Sequence, residues 1–214
     1  FRSFISNIGG GDWGKDKEQG NYIRSRYCLR GADIPEVSRG KIGNLPMRYI
    51  LEKNYNNKKL TPGTLVVEIS GGSPTQSTGR ITYINNILLD RFDKGLVCTN
   101  FCRALTLRNR SYMYFVYYYW KMLYNSNVFF QYENGTTGIK NLDINSFLDT
   151  FMIVSPSETI LKRFNSVIST FVNRIQMSGN ENIKLSQIRD NLLPKLMSGE
   201  IRVPLDDEVL SEQN

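Results

Sequence analysis

A chain of 214 residues with 27 Lys and Arg, 20 Asp and Glu and no His has room for one α/β domain with an appendage, or for two small domains. Its 40% hydrophobic and 12% aromatic content supplies a packed core and argues against disorder. The missing His excludes Ser-His-Asp and Cys-His nucleophile systems, His-ligated zinc and imidazole general bases.

From residue 1 to about 50 the apolar pattern is broken. Ile8-Gly9-Gly10-Gly11 reads as a plain turn, because no strand is signalled before it and no helix after it. Tyr22 to Leu29 alternates, with Ile23 and Tyr27 between Arg24, Arg26 and Arg30, as a half-buried strand with one basic face would. Leu60-Thr-Pro-Gly63 is a turn signal, and the β-branched run Thr64 to Ser70 is a core strand. Gly71 to Gly79 is a loop, Arg80 to Ile84 a second strand, and Gly95–Cys98 and Cys102–Leu107 continue the β pattern. Ser111 is placed to cap a largely apolar, buried helix running to about Tyr124. Gly135 to Ile144 reads as loop and then strand, and Ser155-Pro156 closes the mixed part.

Beyond Ser157 the period changes. Ile160, Phe164, Val167, Phe171 and Ile175 step by three and four residues, with Leu161, Ile168 and Val172 widening the stripe. After the polar stretch Ser178 to Asn182 the stripe resumes at Leu185, Ile188 and Leu192. One helix of this length would extend about 60 Å and pair with a second long helix. The alternative is two shorter helices broken at Gly179 and folded back on the domain. The acidic tail from Pro204 is expected to be disordered.

Catalytic constellations do not assemble. No Lys has an acidic residue two positions before it, as metal-dependent nucleases commonly require, and no adenine-holding Asn-Pro-Pro-Tyr motif occurs. Gly71-Gly72 to Arg80 follows a strand but lacks the Lys-Ser/Thr of a phosphate-binding loop; its backbone and Arg80 could still meet a DNA phosphate. Cys28, Cys98 and Cys102 are too few for a disulfide framework and read as buried small apolar residues in a reducing compartment. No metal or cofactor is expected. The longest apolar stretch, Tyr112 to Tyr124, is too short to span a bilayer, so a cytoplasmic protein is expected. Charge is uneven: residues 1–110 carry 18 basic and 9 acidic side chains, a net of +9, and the remainder a net of −2. A basic half of this kind suits a polyanion.

Three passages resemble one family. Leu60-Thr-Pro-Gly-Thr-Leu-Val-Val-Glu-Ile-Ser-Gly-Gly72 is similar to a passage in specificity subunits of type I restriction–modification enzymes, with Thr64 where an Asp is usual. Thr137-Gly-Ile-Lys-Asn-Leu142, followed by Phe151-Met-Ile-Val-Ser-Pro156, resembles the end of a target recognition domain. Gln187-Ile-Arg-Asp-Asn-Leu-Leu-Pro-Lys-Leu-Met-Ser-Gly-Glu-Ile-Arg-Val203 resembles the closing helix signature of the same subunits. The resemblance implies an α/β (α+β) target recognition domain over residues 1–156 and a long spacer helix over 157–203, forming a coiled coil, with 204–214 as tail. A complete subunit carries two of each, so the chain is expected to be a half subunit or a C-terminal half. It implies a non-catalytic protein that reads one half of a bipartite double-stranded DNA target. Its partners would be methylation and restriction subunits and a second copy of itself, or another half, through the helix.

Arg forks can take guanine O6 and N7 and Asn can take adenine. The candidates for DNA contact are therefore Lys15, Lys17, Arg24, Arg26, Arg30, Arg39, Lys41, Arg80 and Lys140, with Asn141 as an adenine reader. The rival reading is a coiled-coil scaffold whose globular head binds protein, which leaves the +9 of the first half without a role.

Overall fold

A computed structural model describes residues 1–73, 75–135 and 138–202. In chain order its elements are β1 (Ile5–Gly10), β2 (Arg24–Leu29), α1 (Ile34–Ser38), β3 (Met47–Ile50), α2 (Glu52–Lys58), β4 (Leu65–Glu68), β5 (Ser70–Gly71), β6 (Ile81–Tyr83), α3 (Asn86–Leu89), β7 (Leu96–Cys98), β8 (Cys102–Leu107), α4 (Met113–Asn125), β9 (Glu133–Asn134), β10 (Lys140–Leu142), α5 (Ile144–Thr150) and α6 (Glu158–Met197). The mixed α/β head and the long closing helix agree with the sequence reading. Val203 and the tail from 204, expected to be disordered, lie outside the described residues, as does Thr137 of the second resembling passage.

The centre is an antiparallel sheet in the order β1-β8-β4-β6, covered on both faces. Side chains alternate across a strand. Leu65 and Val67 of β4 therefore enter one core with Val116, Tyr117, Trp120 and Phe147, while Val66 enters a second with Leu29, Ile34, Leu88 and Leu96. Burial on both sides explains why this strand reads as an unbroken apolar run. The Trp120 indole N–H, deep in the first core, donates to the Gly79 carbonyl at 2.8 Å, so no polar atom of that ring is left without a partner. A second sheet, β3-β2-β7, joins β2 antiparallel to β3 and parallel to β7, and a third runs β5-β10-β9.

Two local expectations are corrected. The Gly9-Gly10-Gly11 run is not a turn: Gly9 and Gly10 end strand β1, paired with Ala104 and Arg103. A Cβ on Gly11 would collide with the Thr99 backbone, so glycine here permits close approach to the β7–β8 connection. Ser111 does not cap α4. It lies instead in the 3-10 turn Arg110–Tyr112 that leads into α4, a turn capped by Asn109, whose side-chain oxygen accepts from the Ser111 amide at 2.9 Å. Helix α4 itself starts after Tyr112 without a side-chain cap, and the Ser111 carbonyl accepts from the Asn165 side chain at 2.7 Å.

Helix α6 is continuous over 40 residues, about 60 Å at 1.5 Å per residue. The Ser157 hydroxyl accepts from the Ile160 amide and caps it. Gly179 does not break it. At that residue the helix lies against the loop around Gly40, where any Cβ would overlap the Gly40 carbonyl. Leu161 and Val172 are buried against the head, with Ile168 packed beside them. The Gln176 amide group donates to the Tyr83 hydroxyl at 3.3 Å. Arg91 clamps the same region, donating to the Asn180 side chain at 2.6 Å and to the carbonyls of Gly40 and Gln176 at 2.7 and 2.6 Å. From Lys184 to Arg202 every residue is exposed.

Candidate nucleic-acid interface

The ten side chains expected at a DNA surface divide by what already holds them. Arg26 and Arg48 sit directly opposite on β2 and β3, a like-charge pairing that destabilises a sheet unless both charges find partners. Arg26 stacks on Tyr55 with its guanidinium carbon 4.0 Å from the ring centroid and bonds the Lys94 carbonyl at 3.0 Å and the Glu52 carboxylate at 3.1 Å. Arg48 stacks on Trp13 at 4.1 Å, donates to the Trp13 carbonyl at 2.8 Å and pairs with Asp16; burial lowers its pKa.

Arg30 forks onto Asp33 at 2.9 and 2.8 Å. Arg39 and Lys41 share Glu36 at 3.5 and 3.0 Å. Lys140 pairs with the buried carboxylate of Glu133 at 3.1 Å and lies over Phe130. Asn141 accepts from the Ser70 hydroxyl at 2.5 Å. These groups fix loops and short strands as well as carrying charge.

Lys15, Lys17 and Arg24 are different. All three are exposed and have no ion pair among the described residues. They lie on the excursion between β1 and β2 and on the first residue of β2. The excursion is tied to β3 by the reciprocal amide–carbonyl bonds of Lys15 and Tyr49, 2.9 Å each.

A cleft of about 520 Å³ is lined by Trp13, Arg30, Glu68, Arg80, Asn100 and Phe101, among others. Glu68 is buried at the end of β4. Arg80 grips it with one edge of its guanidinium, Nε to Oε2 at 2.7 Å and Nη2 to Oε1, which raises the Arg80 pKa. A Cβ on Gly31 or Gly71 would crowd the same carboxylate, so glycine at both positions leaves it room. Sequence reasoning singled out Arg80 but missed Glu68, Asn100 and Phe101. The available signal was a Glu inside the apolar run Leu65–Glu68, which demands a buried partner.

The three cysteines are free and buried. Burial pushes the Cys98 thiol up to about 12 and raises Cys28 and Cys102 as well, so all three are protonated near neutrality and are poor nucleophiles or ligands. Among the described residues no group of three or more His, Cys, Asp or Glu could hold a metal ion, and no helix is long and apolar enough to cross a membrane.

No protein-family model matches the chain. It is 33% identical over 187 residues, 85% of its length, to the type I restriction enzyme MjaIX specificity subunit of Methanocaldococcus jannaschii, and spans 38% of that relative. Its fold is similar to the crystal structure of the type I restriction–modification S subunit from M. genitalium, with a TM-score of 0.57 and 19% identity, covering 99% of this chain and 46% of that one. A chain from a structure of complex assembly in the type I restriction–modification system aligns at a TM-score of 0.43 and 14% identity over 88% of this chain and 42% of that one.

Proposed function

We propose that this chain, which belongs to the specificity-subunit family of type I restriction enzymes, reads one half of a bipartite DNA target with its head and assembles through its long helix. Residues 1–156 serve as the recognition domain and 157–203 as the spacer. The observation that carries the reading is the second apolar stripe of α6. Ile160, Val167, Phe171, Ile175, Leu185, Ile188 and Leu192 are 38 to 60% exposed although the helix is docked on the head by another face. Each large apolar side chain left in water forgoes about 1.5–3 kcal/mol of burial, so the stripe is built for a partner. Phe164 stands on its shoulder, half-buried, with its ring edge-on to Tyr118 at 6.3 Å.

A second copy in antiparallel orientation fits the pattern. Along the stripe the apolar residues are interrupted at Arg174, Ser178 and Glu181. With a two-fold axis near Ser178, the segment from Ile160 to Phe171 lies on the Leu185–Leu196 segment of the other helix. Arg174 then comes beside Glu181 of the partner subunit. The heads stand apart on a shared rod, each presenting Lys15, Lys17 and Arg24 to DNA phosphates. Methyl transfer and cleavage belong to methylation and restriction subunits docked on this assembly in the cytoplasm, and the chain itself is non-catalytic.

The test is a titration of the full chain against duplex DNA across salt. Each phosphate neutralised adds about 0.9 to the negative slope of log K against log salt. A clearly negative slope that flattens by about 2 when Lys15 and Arg24 are both changed to Ala supports the reading. Affinity indifferent to salt would leave the protein-binding scaffold in its place.

A further inference from the structure

The geometry points to the cleft between Trp13 and Phe101 as a receptor for a single unstacked nucleobase, with guanine the base it fits. This rests on the DNA reading above and adds a second mode of contact to it. A volume of about 520 Å³ lies within the range of small-ligand sites, and a concave wall cannot follow the edge of a stacked base pair. Two aromatic side chains are part of the cleft's lining. Phe101 is 56% exposed and Trp13 36%.

Neither ring is on a loose loop. The Phe101 carbonyl accepts from the amides of Ile69 and Ser70 at 2.8 and 3.2 Å, and the turn is closed by the Cys102 amide on the Thr99 carbonyl at 3.0 Å. The Trp13 segment is pinned on both sides: the Asp12 amide reaches the Cys98 carbonyl at 2.8 Å, and Arg48 holds the Trp13 carbonyl and covers one face of its ring. Such platforms stack bases without strong dependence on sequence.

The polar wall supplies the selectivity. Arg80 gives its Nε–Nη2 edge to buried Glu68, which leaves the outer edge, Nη1 and the second Nη2 hydrogen, without a protein acceptor among the described residues. A guanidinium held by a carboxylate on one edge and open on the other presents two parallel donors. On its major-groove edge guanine offers the matching pair of acceptors, O6 and N7, where adenine and cytosine carry an amino group. Both Glu68 oxygens accept from Arg80, so the wall offers donors to a ligand rather than a free carboxylate.

The experiment compares the full chain on a fully paired duplex and on the same duplex carrying one extrahelical guanine, adenine or thymine, which removes the cost of unstacking the base. Binding is read by anisotropy and cleft occupancy by tryptophan emission. The chain has two Trp, and Trp120 is fully buried in the core, so a change on base entry reports Trp13. The expected result is about tenfold tighter binding for the extrahelical guanine, the worth of one stacked base, with quenched emission and a smaller gain for adenine and thymine. Phe101→Ala should remove most of the gain while leaving affinity for the paired duplex unchanged. Arg80→Lys should remove the preference for guanine over adenine. Salt-dependent binding of the paired duplex with no gain for any extrahelical base overturns the cleft and leaves the DNA reading standing. No binding to either duplex overturns both. A gain that survives Phe101→Ala, with Trp13 emission unchanged, overturns the assignment to this cleft.

Discussion

Helix α6 carries two apolar faces with opposite fates. Leu161, Ile168, Val172 and Gly179 turn toward the head; Ile160, Val167, Phe171 and Leu185 turn away from it. At about 100° per residue the two stripes are centred roughly 105° apart, so one partner cannot cover both. The composition of the stripes is similar, and what distinguishes them is shape. The docked face contains the smallest residue at the point of closest approach and one amide, Gln176, that meets the Tyr83 hydroxyl inside the contact. The free face has large side chains over a greater length and polar residues only at its middle. A face cut to fit one surface and a face of repeated knobs serve different partners.

The most disruptive way to break this contrast is a charge on the docked face. Val172→Asp buries a carboxylate without a partner, and should cost about 4 kcal/mol and lower the melting temperature of the whole chain by about 10 °C, read by calorimetry. An unchanged melting temperature would mean that the helix does not rest on the head. Gly179→Ala is a finer probe because its two effects oppose. In a free helix Ala is better than Gly by about 1 kcal/mol, whereas here its methyl group meets the Gly40 backbone. The net expectation is a loss of about 1–2 kcal/mol in chemical denaturation, and a gain in stability would show that the contact yields.

The free face should respond in the other way. Val167→Asp with Phe171→Asp should leave head stability within about 0.5 kcal/mol, as exposed sites do, and convert dimer to monomer in light scattering. The smallest effect is reserved for the polar middle. Arg174→Glu should weaken self-association by about 0.5–1 kcal/mol, the worth of an exposed ion pair, and Arg174→Glu with Glu181→Arg should restore it. Failure of the double change to restore it would argue for another register.

The period of α6 and its length were legible in the sequence, because burial of a helix leaves a mark every three or four residues, but its two apolar faces read there as one widened stripe. Which face docks was not legible, because that depends on Gly40 and Arg91, more than 80 residues earlier in the chain. The same limit applies in the head. β4 was readable from Leu65, Val66 and Val67, but the strand at Gly9 and Gly10 was not, since glycines carry no alternation and their place is set by Ala104 and Thr99 across the sheet. Among the basic residues, charge singled out the first half of the chain. It could not separate Arg24, exposed without an ion pair, from Arg30 or Lys140, each already committed to a carboxylate.

The contact of Gly179 with Gly40, locked by the three bonds of Arg91, leaves the joint between head and helix almost no play. A tilt of 10° about that joint would move any point about 20 Å from it by about 3–4 Å, comparable to the rise of one base pair. In a two-fold assembly the error would appear at both ends, and the twist of the double helix would rotate each misplaced site out of view of its reader. Stiffness at one glycine thus becomes arithmetic on the DNA. If the proposed two-fold reading holds, the number of unread base pairs between two half-sites follows from this joint, and substitutions at Gly40, Arg91 or Gly179 should blur or shift that number without altering which bases are read.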